Sequence, residues 1–194
     1  GMALKPKSAL TKKQRYNTVL SLGAVRPMKR TLDAVKAFEH AHDLNPNLTM
    51  IIAGENSGSY GARLARYTAA SRAKNSISIL GRVSAADRLE LMSEAGAILV
   101  TSVKEGWGLI VTEANSQGTP AVVYDVDGLR DSVKHLESGI ISKDGDPVAL
   151  GNALCDLLDN PELYEELREN AWEWSKEFTF ENSYREFCKK TNIS

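Results

Sequence analysis

Two glutamates flank a glycine-containing turn in the stretch EGWGLIVTE, residues 105–113. Gly106 and Gly108 allow a tight turn and let the backbone approach a ligand closely. The aliphatic residues that follow predict the start of a helix, whose unpaired amides attract phosphate. Glu105 and Glu113 can then accept hydrogen bonds from hydroxyl groups beside that phosphate. A structural role, with one glutamate serving the helix dipole and the other solvated, is the alternative.

A second candidate site is GAVRPMKR, residues 23–30, which follows a short apolar run. Arg26, Lys29 and Arg30 concentrate positive charge in this turn, which suits a diphosphate. A solvated basic turn without a ligand is the alternative. Both candidate sites follow strand-like segments, so their placement depends on the fold.

Short apolar runs alternate with helical patterns along the chain. The apolar runs predict six strands, at 17–23, 48–54, 77–81, 97–102, 120–125 and 139–142. Helical spacing predicts helices at 31–44, 60–72, 84–95 and about 109–117, and a wholly helical region from Pro147 with breaks at Asn160-Pro161 and near Phe178. Ser84, with Asp87 three residues on, predicts a helix N-cap.

The predicted strands are continuous apolar runs, which is typical of strands covered by helices on both faces. The expected fold is therefore α/β, a Rossmann-like doubly wound parallel sheet of about six strands with a helical C-terminal tail. Such sheets bind ligands where the strand order reverses, at the carboxyl ends of the strands. We expect the first and fourth strands to flank that crevice, which brings residues 23–30 and 105–113 together.

Composition excludes several classes of protein. Hydrophobic residues make up 42% and charged residues 25%, and 24 Lys and Arg balance 25 Asp and Glu, so no nucleic-acid partner is expected. Cys155 and Cys188 lack metal-ligand spacing and indicate a reducing compartment. No apolar run approaches the roughly 18–20 residues of a membrane span. We therefore expect a cytoplasmic protein, or one at a membrane surface as part of a longer chain.

The sequence blocks resemble the nucleotide-binding C-terminal domain of retaining glycosyltransferases with the GT-B fold, glycosyltransferase group 1 (family 4). Residues 102–123 are similar to the family signature, an E-x7-E pair followed by a small-residue helix and a buried strand. Residues 20–38 resemble its phosphate-binding loop, residues 77–102 its nucleobase segment, and residues 145–167 its helical tail. The resemblance covers about residues 17–190.

The resemblance implies a role for each matching residue. Glu105 would hold the donor sugar and Lys29 the phosphates, as the catalytic pair, and Glu113 would bind the ribose hydroxyls. Ala24 replaces the family's usual arginine, and Arg26 is the nearest substitute. The further donor-binding residues implied are Gly23, Ala24, Arg26, Arg82, Val83, Gly106, Trp107, Gly108, Leu109 and Ile110.

The resemblance implies the donor-binding half of an enzyme, a hexosyltransferase that moves a hexose from a UDP- or GDP-sugar to an acceptor hydroxyl with retention. No metal and no cofactor are expected, because the helix amides and Lys29 supply the positive field, and the D-x-D at 125–127 is interpreted as a turn. The implied partners are the donor, a separate N-terminal acceptor-binding domain, and a second copy through the C-terminal tail. A non-catalytic nucleotide-sugar-binding module and a dinucleotide-binding oxidoreductase domain are the alternatives; the second lacks a G-x-G-x-x-G loop.

Three regions are expected along the chain. Residues 1–16 read as a linker or tag remnant, and Gly1 before Met2 is typical of a cloning remnant, which indicates an excerpt of a longer protein. Residues 17–178 are expected to form the donor-binding domain, and residues 179–194 a helical tail.

Overall fold

The computed structural model describes residues 5–191, except for the side chains of residues 186, 187, 190 and 191. The expected linker and tail extend beyond this range, at residues 1–4 and 192–194. Six strands form one sheet: β1 (Arg15–Leu22), β2 (Thr49–Ala53), β3 (Ile77–Gly81), β4 (Ala95–Val100), β5 (Ala121–Tyr124) and β6 (Gly139–Ser142).

In the part of the chain that the structure describes, eight α-helices connect and extend the sheet. They are α1 (Thr31–Leu44), α2 (Gly58–Ala70), α3 (Ala85–Glu94), α4 (Leu109–Ser116), α5 (Leu129–Ser132), α6 (Pro147–Leu158), α7 (Pro161–Ser175) and α8 (Phe180–Thr191). The predicted cap of α3 is confirmed, because Ser84 Oγ accepts from the Asp87 amide while the Asp87 carboxylate accepts from the Ser84 amide. Pro147 and Pro161 begin α6 and α7, where a missing N–H costs nothing.

The strand order is β3-β2-β1-β4-β5-β6, and every pairing is parallel. All residues of β4 and β5 are buried, as continuous apolar strands require. The order reverses between β1 and β4, which are neighbours. The predicted α/β, Rossmann-like doubly wound fold is therefore confirmed, with its switch point where it was expected.

Helices pack closely onto this sheet. α1 lies against α6, and α4 lies against α7. A Cβ added to Gly151 would lie 2.6 Å from the carbonyl oxygen of Ala37, so α1 and α6 approach at backbone distance. The resulting core is continuous and includes Phe38, Tyr124 and Tyr164 among its largest buried side chains. This rigid frame positions the loops at the carboxyl ends of the strands.

Residues 5–14 contain no helix or strand, yet they lie against the domain. The buried Lys13 Nζ donates to Thr119 Oγ1 at 2.5 Å and to the Ser93 carbonyl at 2.9 Å. The Trp172 indole donates to the carbonyl of Lys7 at 3.0 Å. The segment expected as an extended linker is thus attached to the helical layer, while the proposed boundaries at residues 16 and 178 stay predictions.

Candidate functional site

A cleft of about 420 Å³ opens at the carboxyl edge of the sheet, beside the switch point between β1 and β4. Loops after β1, β2 and β3 and the first turns of α3 and α4 form its walls. Its lining residues are Leu22, Gly23, Ala24, Lys29, Ala53, Gly54, Glu55, Arg82, Val83, Arg88 and Ile110.

One end of the cleft joins the two candidate stretches through an ion pair. Lys29 Nζ lies 2.5 Å from Glu105 Oε1, and the Ser102 hydroxyl donates to the same oxygen at 2.5 Å. The loops are held in register because the Thr101 hydroxyl donates to the Lys29 carbonyl at 2.8 Å. A partly exposed cation and a carboxylate with a second oxygen available therefore lie together at the mouth of the cleft.

Arg30, unlike its neighbour Lys29, binds the backbone of the loop after β4. Its backbone is left-handed, with φ of 46°, and its guanidinium turns toward the carbonyls of Thr101 at 2.9 Å and Ser102 at 3.0 Å. It also pairs with Asp144 at 2.6 Å. Arg30 thus fastens the loop after β4 and does not line the cleft, contrary to the expectation that all three basic residues crowd a phosphate.

The start of α4 faces the cleft without a side-chain cap. Gly108 is the N-cap residue in a left-handed conformation, φ 74°. Leu109 and Ile110 follow as the first helical residues, and Ile110 lines the cleft. Their amides precede the first intrahelical bond, which the Val111 amide makes to the Gly108 carbonyl at 2.8 Å. The helix start therefore has amides available for an anion.

The short helix α5 supports this loop from behind, and sequence patterns did not predict it. The Glu105 amide donates to the Asp127 carbonyl at 3.1 Å, and a Cβ on Gly128 would collide with the Glu105 carbonyl oxygen. A Cβ on Gly108 would lie 2.6 Å from Ser132 Oγ. Backbone contacts to Asp127–Ser132 thus set the position of residues 105–108.

Glu113 lies at the other side of the cleft, one turn into α4, and it is buried. Its carboxylate pairs with Arg88 of α3, which itself lines the cleft. Burial raises the pKa of Glu113, and the positive charge of Arg88 opposes that shift. Arg88 was not predicted, because a partner 25 positions away on another helix leaves no local signal.

The third wall consists of the loops after β2 and β3. Arg82 and Val83 line the cleft beside Glu55, as expected for the nucleobase segment. Hydrogen bonds from Ser57 hold the pKa of Glu55 below its usual range. At this edge of the cleft the backbones of Gly54 and Gly23 are in contact. A Cβ on Gly54 would collide with the Gly23 carbonyl, so the loops after β1 and β2 can approach this closely only with glycine at position 54.

Trp107 turns away from the cleft toward the C-terminal helices. Its indole donates to Thr112 Oγ1 at 3.2 Å, and its ring lies 4.8 Å from that of Phe178. Phe178 in turn makes an edge contact with Trp174, 4.6 Å between centroids. The loop that carries Glu105 is therefore packed against the segment after α7.

The expected site residues fall into three groups. Those that line the cleft are Gly23, Ala24, Lys29, Arg82, Val83 and Ile110. Those adjacent to it through an ion pair or the same loop are Glu105, Gly106, Gly108, Leu109 and Glu113. Arg26 is exposed and Trp107 packs elsewhere, and neither lines the cleft.

Both carboxylates of the D-x-D at 125–127 pair with the guanidinium of a neighbouring arginine. Arg130 Nε lies 2.6 Å from Asp125, and its Nη1 lies 3.3 Å from Asp127. Among the side chains that the structure describes, no three His, Cys, Asp or Glu converge in a way that could hold a metal. Within residues 5–191, no helix has both the length and the apolarity needed to cross a membrane.

Solved glycosyltransferases share this architecture. TarM of S. aureus superposes with a TM-score of 0.85 at 21% identity, over 98% of this chain and 38% of TarM. HepE of Anabaena, solved with UDP and glucose, superposes with a TM-score of 0.83 at 19% identity, over 93% of this chain and 49% of HepE. The fold of the chain is therefore that of one Rossmann-like domain of the GT-B glycosyltransferases.

The chain belongs to the glycosyl transferases group 1 family, whose model matches residues 5–174. An uncharacterized glycosyltransferase of Methanocaldococcus jannaschii is 27% identical over 169 residues, 86% of this chain and 45% of the relative. A D-inositol 3-phosphate glycosyltransferase of Acidothermus cellulolyticus is 31% identical over 178 residues, 85% of this chain and 38% of the relative. The chain thus spans less than half the length of these relatives.

Proposed function

We propose that this chain is the donor-binding half of a retaining hexosyltransferase that uses a UDP- or GDP-sugar. The observation that carries the proposal is the meeting, at one switch-point cleft, of Lys29, Glu105, the uncapped start of α4 and Glu113. A nucleoside diphosphate sugar presents diphosphate, sugar hydroxyls and ribose hydroxyls, and the cleft offers a matching group for each. The solved relative HepE contains UDP and glucose, which supports this assignment.

The proposed chemistry is stabilisation of a departing diphosphate. As the bond between the anomeric carbon and the diphosphate oxygen breaks, negative charge accumulates on the phosphates. The Lys29 ammonium and the first amides of α4 would balance that charge, in a site whose dipoles are already oriented. The acceptor oxygen then forms the new glycosidic bond to the anomeric carbon, and its proton passes to an oxygen of the departing diphosphate.

Glu105 would accept hydrogen bonds from donor-sugar hydroxyls, since its loop lies next to Lys29 and its carboxylate is only partly buried. Because the Lys29 ammonium and the first amides of α4 already supply a positive field for the phosphates, we propose that the reaction uses neither metal nor cofactor.

An acceptor-binding partner domain forms part of the proposal. The match covers only 45% and 38% of the two relatives, and transfer requires the acceptor hydroxyl to lie about 3–3.5 Å from the reacting carbon. We propose that a separate N-terminal domain supplies that site in the cytoplasm or at a membrane surface. The tail exposes Phe180 and Tyr184, so a contact with that domain or with a second copy is expected there.

A non-catalytic nucleotide-sugar-binding module is the second candidate. It is favoured by Ala24, which lines the cleft where the family resemblance implies an arginine. The two candidates differ in whether the chain, joined to an acceptor domain, transfers sugar. Both predict nucleotide binding by the isolated chain.

Isothermal calorimetry with UDP, GDP, UDP-glucose and NAD⁺ tests the proposal. We expect micromolar to millimolar binding of a nucleoside diphosphate and its sugar, and no binding of NAD⁺. Glu105→Gln should leave UDP binding unchanged and weaken UDP-glucose binding; the exposed Glu90→Gln serves as the matched control. Preferential binding of NAD⁺, or equal losses for UDP and UDP-glucose in Glu105→Gln, would contradict the assignment.

A further inference from the structure

Arg88 and Glu113 form an ion pair across the cleft between two helices. Arg88 lies in the first turns of α3 and Glu113 in the middle of α4. The side chain of Glu113 is 12% exposed and that of Arg88 is 40% exposed, so the carboxylate is the buried member and the guanidinium faces solvent through the cleft.

Burial favours the neutral, protonated form of Glu113. A carboxylate out of water favours its protonated form unless an opposite charge or hydrogen bonds stabilise the anion. Burial indeed raises the pKa of Glu113, and the Arg88 guanidinium is the charge that opposes this shift. Without Arg88, the buried carboxyl would lose its principal electrostatic support.

The pair engages only one of the two oxygens of the Glu113 carboxylate. Arg88 Nη2 donates to Oε2 of Glu113, and none of the amides and side chains that the structure describes donates to Oε1. An ionised carboxylate with one oxygen restrained and the other open is suited to accept hydrogen bonds from two adjacent hydroxyls. A protonated carboxyl would be a poorer acceptor for both.

The helix that carries Arg88 is itself fixed. The Ser84–Asp87 capping box secures its start, and Leu91 and Met92 anchor its buried face. Arg88 therefore projects from a stable turn, and its position does not depend on a loop.

We propose that Arg88 is a positioning residue that keeps Glu113 in its carboxylate form and orients it toward the two ribose hydroxyls of the donor. This inference rests on the proposed function, because the ribose belongs to a nucleoside diphosphate bound in this cleft. Arg88 acts through Glu113 and need not touch the reacting atoms. Charge is the property that matters, so Arg88→Lys should preserve the effect and Arg88→Met, which keeps the stem length, should remove it.

Direct titration of Glu113 tests the first half without any ligand. The ¹³C resonance of its side-chain carboxyl, assigned by its loss in Glu113→Gln, is followed from pH 3 to 9 in the folded protein. The apparent pKa should rise by about one unit or more in Arg88→Met and remain near the wild-type value in Arg88→Lys. An unchanged titration in folded Arg88→Met would overturn the proposal.

The ratio of UDP affinity to 2′,3′-dideoxy-UDP affinity tests the second half. This ratio isolates the hydroxyl pair and cancels the titration of the phosphates. In Arg88→Met the ratio should fall about tenfold at pH 5 relative to wild type and recover toward pH 8, as the carboxylate reforms. Arg88→Lys should follow the wild-type profile, and Arg88→Met should cause no further loss in a Glu113→Gln background.

The outcomes separate this inference from the function on which it rests. Equal losses of UDP and dideoxy-UDP affinity at every pH would overturn the positioning role and indicate a phosphate or packing role for Arg88. A wild-type protein that binds neither UDP nor GDP would contradict the proposed function itself. Circular dichroism of each variant confirms that the comparison is made on folded protein.

Discussion

The two ends of EGWGLIVTE are built differently. At one end Glu105 lies in a loop, shares one oxygen between Lys29 and Ser102, and depends on backbone contacts to the loop before α5. At the other end Glu113 lies inside a helix, is more deeply buried, and pairs with Arg88 from a second capped helix.

Glu105 and Glu113 are therefore suited to bind different parts of a ligand. Under the proposed function, the loop end presents Glu105 to the reacting sugar, whereas the helix end holds Glu113 as an acceptor for the ribose, which does not react. Lys29 and Glu113 do not contact each other, so substitutions at the two ends should add in their effects on binding free energy.

Gly108 is the residue whose replacement should disturb both ends most. Its left-handed backbone and the nearby Ser132 Oγ oppose any side chain, so Gly108→Ala should lower the free energy of unfolding by about 1–3 kcal/mol. Gly106→Ala is the matched control, because nothing lies within 4 Å of its added Cβ. Urea denaturation measures both, and equal stabilities would show that the turn tolerates a side chain at 108.

Lys29→Met should break the loop end alone. The loss of one charge-assisted contact is expected to weaken UDP binding by about 1–3 kcal/mol and to leave uridine binding nearly unchanged. Calorimetry of both ligands checks this, with Lys36→Met on the exposed face of α1 as the control. A similar loss for uridine would remove Lys29 from the phosphate site.

Glu113→Gln should break the helix end alone. Replacing the charged acceptor is expected to weaken UDP binding by about 1–2 kcal/mol while 2′,3′-dideoxy-UDP binding stays within error. Competition binding with the two nucleotides measures the difference. If both affinities drop together, Glu113 supports α4 and does not contact ribose.

Arg26→Ala should have the smallest effect, below about 0.5 kcal/mol on UDP binding. The side chain is exposed and does not line the cleft, so it is a poor substitute for the arginine that Ala24 replaces. Titration of UDP into this variant at low ionic strength is the sensitive measurement. A loss as large as that of Lys29→Met would show that Arg26 moves into the site when ligand binds.

Strong periodicity made most of the fold predictable. The predicted bounds of α1 match the observed ones, and β4 begins two residues earlier than predicted because Ala95 and Gly96 carry no strand-specific pattern. The four-residue helix α5 is too short to show helical spacing. Residues 5–14 have no periodic pattern either. They are held against the domain by individual side chains such as Lys13, and contacts of that kind leave no repeating signal in the sequence.

The site was predictable only where local chemistry marked it. Glu105, Lys29 and the helix start follow from turns at strand ends, where parallel topology places them together. Arg88 and Ser102 become functional candidates only through contacts to Glu113 and Glu105, which depend on the packing of α3 and on the loop after β4. Arg30 is the opposite case. It is a basic residue in the predicted turn, but its guanidinium binds backbone carbonyls and does not line the cleft.

The strand order has a consequence for how the domain folds. The chain completes β1, β2 and β3 before β4 returns to pair with β1, so the pairing that creates the cleft joins segments far apart in sequence. Non-local pairings of this kind form slowly, because loop entropy is lost before contacts compensate for it. Nucleotide added during refolding therefore meets a site only after the halves of the sheet join, and we expect it to slow unfolding without accelerating folding.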